Sequence, residues 1–165
     1  MSSTESEAAG SREFLRHTLA TLAYRGGKAL RDAPPGFAEF RAGGTTRTPG
    51  EILAHVGDLL DWGLSIAKGE EKWKSGDPLP WNQGTDRFFA SLRAFDDVLA
   101  SDAPLGSSAE RLFQGPIADA FTHIGQISML RRLAGTPVRA ENFSRADIKA
   151  GRVGAEQTAP KREFD

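Results

Sequence analysis

The chain has 165 residues, of which 39% are hydrophobic, 21 are Lys or Arg and 22 are Asp or Glu, for a formal net charge of −1. This length and hydrophobic fraction favour one folded domain, and the balanced charge gives no electrostatic footprint for nucleic acid or for an anionic membrane. Because the chain has no cysteine, it cannot use disulfides, thiolate nucleophiles or iron–sulfur clusters, and any metal site must be built from His, Asp or Glu.

The start of the chain predicts neither export nor membrane insertion. Residues 1–7 contain neither the basic region nor the apolar region of a signal peptide, and no window approaches about 18 consecutive apolar residues. We therefore expect a cytoplasmic protein. Its polar ends predict a disordered leader over 1–10 and a loose polar tail over 151–165, on either side of one helical domain over 11–150.

Helix one is predicted from Ser11, which can cap it, to about Asp32, because apolar residues recur at helical spacing across this range. Gly26 and Gly27 interrupt the pattern. Each glycine costs about 1 kcal/mol relative to alanine in a helix interior. The pair therefore indicates either a bend or a place where another backbone comes close.

Helix two has the clearest start signal in the chain. Thr48 is a suitable N-cap, Pro49 suits the first helical position, and Glu51 completes a capping box three residues after the cap. Lys68 and Gly69 form an equally clear end signal. These signals predict a helix of about 20 residues and about 30 Å.

The connection after helix two, residues 70–81, has no helical or strand period. At about 3.3 Å per residue, it is long enough to run back along a whole helix, so helices two and three need not be antiparallel. Helix three is predicted to begin after Asn82. Gly115 is expected to end a short helical turn and Pro116 to open helix four, which extends to about Ala134.

Four long amphipathic helices without a convincing strand pattern predict an all-α protein, a four-helix bundle with long connections. Ser144–Lys149 is expected to add a short C-terminal helix.

The three histidines are the main candidates for chemistry, since no G-x-S-x-G, H-E-x-x-H or G-x-G-x-x-G motif occurs. His55 lies on the apolar stripe of helix two, and His123 lies one turn after Asp119 on one face of helix four. Packed helices are about 8 to 10 Å apart, so the three side chains can meet around one ion. Two imidazoles and a carboxylate suit Zn²⁺, Ni²⁺ or Fe²⁺. The alternative is that these histidines are ordinary half-buried residues, and His17 is interpreted as the flank of helix one.

Nearby polar and aromatic residues have less specific interpretations. Asp58 and Asp61 are typical of a solvated helix face, although Asp58 is also a candidate to orient a metal ligand. Trp62 is predicted to lie in the core. Trp73 and Trp81 either anchor the irregular connection or line the mouth of a pocket.

Two stretches, Thr48–Val56 in helix two and Thr122–Ile127 running into Leu130–Gly135 in helix four, resemble motifs of the DinB/YfiT-like superfamily of bacterial four-helix-bundle proteins. The resemblance covers about residues 11–135. The segment Glu141–Ile148 is similar to the tail of one DinB-like subgroup.

This resemblance implies an up-down-down-up bundle, often a homodimer. It also implies a metal held by one histidine of helix two and two of an H-x-x-x-H motif in helix four. His55 and His123 match two of these positions, and Asp119 stands where the family usually has histidine. Gly125 and Gln126 match the Gly-Gln of the family pattern, where the glutamine would be available to hydrogen-bond a metal ligand.

Characterised relatives in this superfamily include thiol-dependent transferases and isomerases. The resemblance therefore implies a metal-dependent enzyme in which an ion at His55, Asp119 and His123 activates a low-molecular-weight thiol toward a small electrophilic substrate. Hydrolysis with an activated water is a variant using the same ligands. The alternative function is a non-catalytic dimeric bundle that binds a small molecule or a protein partner, with both histidines paired structurally to Asp119.

Overall fold

The computed structural model describes residues 3–164, with side chains from residue 6. The protein is mostly helical, and the only strands in that part of the chain are two of two residues each. Its elements are α1 (Ser3–Leu30), α2 (Pro49–Ala67), α3 (Trp81–Ala100), α4 (Ala109–Leu112), α5 (Ala118–Leu133), β1 (Ala140–Glu141) and β2 (Glu163–Phe164).

Helix α1 begins at Ser3, so the predicted leader over 1–10 is wrong from residue 3 onward; residues 1 and 2 lie outside the described part. Ser11 lies inside the helix and is not its cap. The extension has a local reason. No proline occurs there, Ala8 and Ala9 favour helix, and Glu7 places a negative charge near the positive end of the helix dipole.

The glycine pair does not break α1. A Cβ atom on Gly26 would lie 2.5 Å from the ζ carbon of Phe88, which is fully buried on α3. At Gly27 the nearest side-chain atom, on Phe89, would be 3.5 Å away, an ordinary contact. Gly26 is therefore required by the close approach of an aromatic ring, whereas the sequence predicted either a bend or a neighbouring backbone.

The predicted capping box of α2 is confirmed. The Thr48 hydroxyl accepts from the Glu51 amide at 3.2 Å, and the Thr48 amide donates to the Glu51 carboxylate at 2.6 Å. Lys68 is the C-cap, and Gly69 follows with a φ of 79°, the left-handed conformation typical of a helix end.

Helix α3 begins slightly earlier than predicted because Trp81 has partners of its own. The Trp81 indole donates to the carbonyl of Leu30 at 3.2 Å and packs edge-on against Phe37. Trp81 therefore anchors the end of the 70–80 connection to the C-terminus of α1.

The predicted break at Gly115–Pro116 is wrong. Helix α4 continues through a π-helical segment, Phe113–Ile117, directly into α5. A π turn widens the helix locally, so Pro116, which has no N–H to donate, lies inside it without ending it. Predicted helix four thus corresponds to the end of the π-helical segment together with α5.

The C-terminal region also differs from the prediction. The short helix over Ser144–Lys149 is absent, and a 3₁₀ turn at Phe143–Arg145 stands near its start. The tail is not loose between 151 and 164, since Val153 is fully buried and β2 pairs antiparallel with β1. Contacts with residues distant in sequence stabilise the buried Val153 and the β1–β2 pair. Hydrophobic periodicity along the chain cannot predict such contacts.

The long helices meet in four pairs. Helix α2 packs against α3 and α5, and α1 packs against the same two helices. No described helix is long and apolar enough to cross a membrane. The largest fully buried side chains come from all four long helices and from α4 and the π segment: Phe88, Phe95, Leu15, Leu19, Leu22, Leu60, Leu92, Leu99, Leu112, Ile117, Ile127 and Val56.

Candidate metal centre

The three residues predicted as metal ligands lie together. His55 projects from α2, and Asp119 and His123 project from the facing side of α5. One candidate ligand atom from each residue lies within 4.8 Å of the other two, and among the side chains of residues 6–164 no other group of His, Asp and Glu meets this condition. The two helices therefore place the predicted donor set at one point.

The individual distances are close to those around a single ion. His123 Nε2 lies 3.3 Å from one Asp119 oxygen, and His55 Nε2 lies 3.9 Å from the other. Ligands bound at about 2.0 to 2.2 Å in tetrahedral geometry are separated by about 3.5 Å. The Asp119 side chain is 48% exposed, so it has room to adjust its rotamer.

The packing of α2 against α5 explains why His55 reaches this point. A Cβ atom on Gly63 would lie 3.1 Å from the ring of Pro116, so α2 closely approaches the π-helical segment that leads into α5. Two turns earlier on α2, the rings of His55 and His123 meet edge to face, with centroids 4.7 Å apart. The approach of the helices thus brings the two imidazoles into contact across the interface.

Gln126 orients His123. Its amide oxygen lies 2.8 Å from Nδ1 of the His123 ring. An amide oxygen only accepts hydrogen bonds, so with this orientation the ring proton is on Nδ1 and Nε2 keeps its lone pair toward Asp119. This is the tautomer that a metal ligand needs, and Gln126 is the residue that the family resemblance indicated for this role.

The surroundings of His55 favour its neutral form. Burial lowers the pKa of His55, and the adjacent His123 ring and the Arg47 guanidinium lower it further, against the opposing effect of Asp119 and Asp58. A neutral imidazole is the form that ligates a metal.

Asp58 does not play the role of a ligand-orienting partner. Its carboxylate is buried, accepts from the Arg87 guanidinium at 2.8 Å and accepts from the amide of Gly76 at 3.1 Å. Asp61 also binds Arg87, at 2.7 Å, and accepts from Ser91 at 2.6 Å. The predicted solvated face is therefore wrong for Asp58, and these carboxylates connect α2 to α3 and to the connection between them.

The structure separates the roles of the tryptophans. Trp73 packs edge-on against both His55 and Trp62, with centroid distances of 5.8 and 5.7 Å, and is half exposed. Trp73 thus packs the connection against α2 beside His55, and Trp81 anchors its other end to α1. His17 is exposed on α1 and is not part of the metal-ligand cluster.

A cleft of about 570 Å³ opens beside the two histidines. Its apolar wall includes Ile52, Met129 and Leu130, and Arg47 supplies a positive charge at its edge. Arg47 and Met129 were not predicted from the sequence. Each lies just outside a motif, Arg47 before the capping box and Met129 before Leu130–Gly135, and only the packing of α2 on α5 brings them to one cavity.

No known protein family, curated protein or solved structure matches this chain in comparisons of sequence and of structure.

Proposed function

We propose that His55, Asp119 and His123 bind a divalent transition metal, Zn²⁺, Ni²⁺ or Fe²⁺, and that the protein is a metal-dependent enzyme of the DinB-like type. The observation that carries the proposal is the convergence of the three side chains beside an open cleft. The donor set also fits such an ion, because two neutral imidazoles and one carboxylate leave coordination positions free. We further propose that the enzyme is a cytoplasmic homodimer.

The contacts of α2 with α3 support the up-down-down-up bundle that this family would have. Leu53 meets Gly84 near the start of both helices, Asp58 bonds Arg87 further along, and Gly63 meets Phe95 further still. Contacts that advance together in both helices indicate a parallel pair. The long 70–80 connection is what permits two consecutive helices to run in the same direction.

The remaining helix pairs support the same topology. Gly26 meets Phe88 and Arg16 meets Asp96, which favours opposite directions for α1 and α3. Gly26 also meets Ile124, and Arg131 bonds the Ala29 carbonyl, which favours a parallel α1 and α5. His55 meets His123, and Gly63, later on α2, meets Pro116, before α5, which favours an antiparallel α2 and α5.

A divalent ion bound at this site supplies positive charge that lowers the pKa of a ligated thiol or water. The chain contributes the rest of the chemistry. Gln126 keeps the His123 lone pair directed into the site, and Trp73 shields His55 from water. The apolar wall and Arg47 suit a small substrate with an apolar body and an acid group. We propose a low-molecular-weight thiol as cosubstrate, with hydrolysis as the variant.

One observation favours a second function. Asp119 already lies 3.3 Å from His123 and 3.9 Å from His55. These contacts suit a structural pairing of the three side chains. In that case the protein is a non-catalytic dimeric bundle that binds a small molecule or a protein partner.

Metal analysis separates the two functions. We expect untagged protein, stripped with a chelator and titrated with Zn²⁺ in a calorimeter, to bind about one ion per chain, because the site offers three ligands. His55→Ala and Asp119→Ala should each lower the affinity at least about tenfold. His17→Ala, an exposed histidine on α1, is the matched control and should bind as the unmodified protein does. Undiminished binding in Asp119→Ala, or no binding by any form, would contradict the proposal.

A second experiment tests the reaction class. Metal-loaded protein would be assayed with cysteine and glutathione against an electrophilic chloronitrobenzene. Turnover that is lost in His55→Ala supports thiol transfer. If metal binds but no thiol reacts, hydrolysis of small esters becomes the better assignment.

A further inference from the structure

A second cavity of about 560 Å³ lies between α1, α5 and the C-terminal segment that follows α5. It faces a different side of α5 from the cleft at the histidines, because Thr122, Gly125 and Ser128 line it, whereas His123 and Gln126 line the other cleft. Met129 lies between the two and borders both. We propose that this cavity binds a small organic anion with an apolar body. The inference does not depend on the metal site.

The charge of the cavity is the first support. Arg25 and Arg132 line it, and neither has a carboxylate partner among the described side chains, those of residues 6–164. The chain as a whole has a net charge of −1, so two unneutralised guanidinium groups at one cavity are a local excess. Arginine side chains recognise carboxylates and similar oxyanions with paired hydrogen bonds.

The other charges at the cavity are already compensated. Lys28 donates to Glu141 and to Glu163, both at 2.7 Å. The buried Glu141 carboxylate also accepts from the Tyr24 hydroxyl at 2.6 Å. Glu163 accepts from Arg139, which also lines the cavity, at 3.3 Å. These groups shape the cavity and leave Arg25 and Arg132 to receive an anion.

The walls indicate what the rest of the ligand is like. Phe121, Met129 and Phe143 give the cavity an apolar lining. The Arg25 guanidinium lies 4.3 Å from the centre of the Phe143 ring, which orients the cation at the edge of the cavity. Apart from its chain neighbours and the backbone of its own helix turn, no atom lies within 4 Å of the place where a Cβ on Gly125 would be, so space is open at that position. An apolar body against these walls with an acid group at the arginines fits both features.

Two related fluorescent probes test the inference. The anion is 1-anilinonaphthalene-8-sulfonate, and the neutral analogue of nearly the same shape is N-phenyl-1-naphthylamine. We expect saturable binding of the anion by the intact chain. The double variant Arg25→Gln/Arg132→Gln should bind the anion at least about tenfold more weakly, since even one lost charged hydrogen bond costs roughly a factor of ten in affinity. Binding of the neutral probe should change much less.

Two further variants locate the probe. Gly125→Leu places a side chain in the open space and should block both probes, and thermal unfolding would verify that each variant is folded. Arg47→Gln, at the cleft beside the histidines, is the matched control and should leave anion binding unchanged. Anion affinity that survives the double substitution, or that falls only in Arg47→Gln, would overturn the inference.

Discussion

Arg131 occupies the last turn of α5, where a cation is favoured by the helix dipole. In the folded protein its guanidinium is buried and donates to the carbonyls of Ala29 and Arg31, at 3.1 and 2.8 Å, and of Asp32 at 3.3 Å. Burial lowers the pKa of Arg131. A residue suited locally to one helix thus also satisfies the carbonyls at the end of another, α1.

We expect the contribution of Glu51 to the stability of the fold to depend on pH. The backbone hydrogen bond from Thr48 holds the pKa of Glu51 below its usual value of 4.5. A carboxylate whose pKa is lower in the folded state stabilises the protein above its unfolded pKa, and this stabilisation is lost as the pH falls through the folded pKa.

We therefore expect Glu51→Gln to be less stable than the unmodified protein at about pH 6, with the difference shrinking toward about pH 3. Urea unfolding across this range measures the difference. A gap between the two proteins that stays the same at every pH would show that the carboxylate charge contributes nothing.

Within α1, we expect the two neighbouring glycines to respond in opposite ways to replacement by alanine. Gly26→Ala would place a Cβ 2.5 Å from the buried Phe88 ring, and such overpacking costs about 1 to 3 kcal/mol. Gly27→Ala makes only an ordinary contact with Phe89, at 3.5 Å, and should gain up to about 1 kcal/mol from helix propensity. Urea unfolding of the two variants tests this contrast. Equal stabilities would mean that Phe88 moves aside at little cost.

The elements also differ in how far local residues specify them. The ends of α2 were predicted correctly because Thr48 and Glu51 satisfy each other within one turn. The break expected at Gly115–Pro116 is absent, since the chain continues there as a π turn packed against Gly63 of α2. A capping box is decided within a few residues, whereas a helix that continues through proline is decided by what packs against it.

For the whole molecule, Lys28 connects α1 to both short strands through Glu141 and Glu163. The Glu141 side chain is fully buried. In Lys28→Met, the negative charge of Glu141 would keep only the Tyr24 hydroxyl as a hydrogen-bond partner. Removing one member of a buried ion pair costs about 3 to 5 kcal/mol. Because Lys28 itself is 12% exposed, we expect about 3 kcal/mol.

Lys149→Met is the matched control, because that lysine is 68% exposed and its partner is 4.0 Å away; it should change stability by less than about 1 kcal/mol. Urea unfolding measures both variants. The backbone amide of Asn142 donates to the carbonyl of Arg162 at 2.9 Å. In Lys28→Met, we expect the hydrogen of this amide to exchange faster with solvent. Unchanged exchange and unchanged stability in Lys28→Met would show that the strand pair does not depend on this lysine.

The sequence by itself determined the helical character of the protein, the ends of α2 and the helix faces that carry His55, Asp119 and His123. Hydrophobic periodicity and capping are interactions within a few residues, so they can be read along the chain. Only the tertiary structure decided that Trp73 covers His55 and that the C-terminal segment pairs β1 with β2. Those contacts join residues far apart in sequence, and their free energy depends on burial and on partners that no local pattern records.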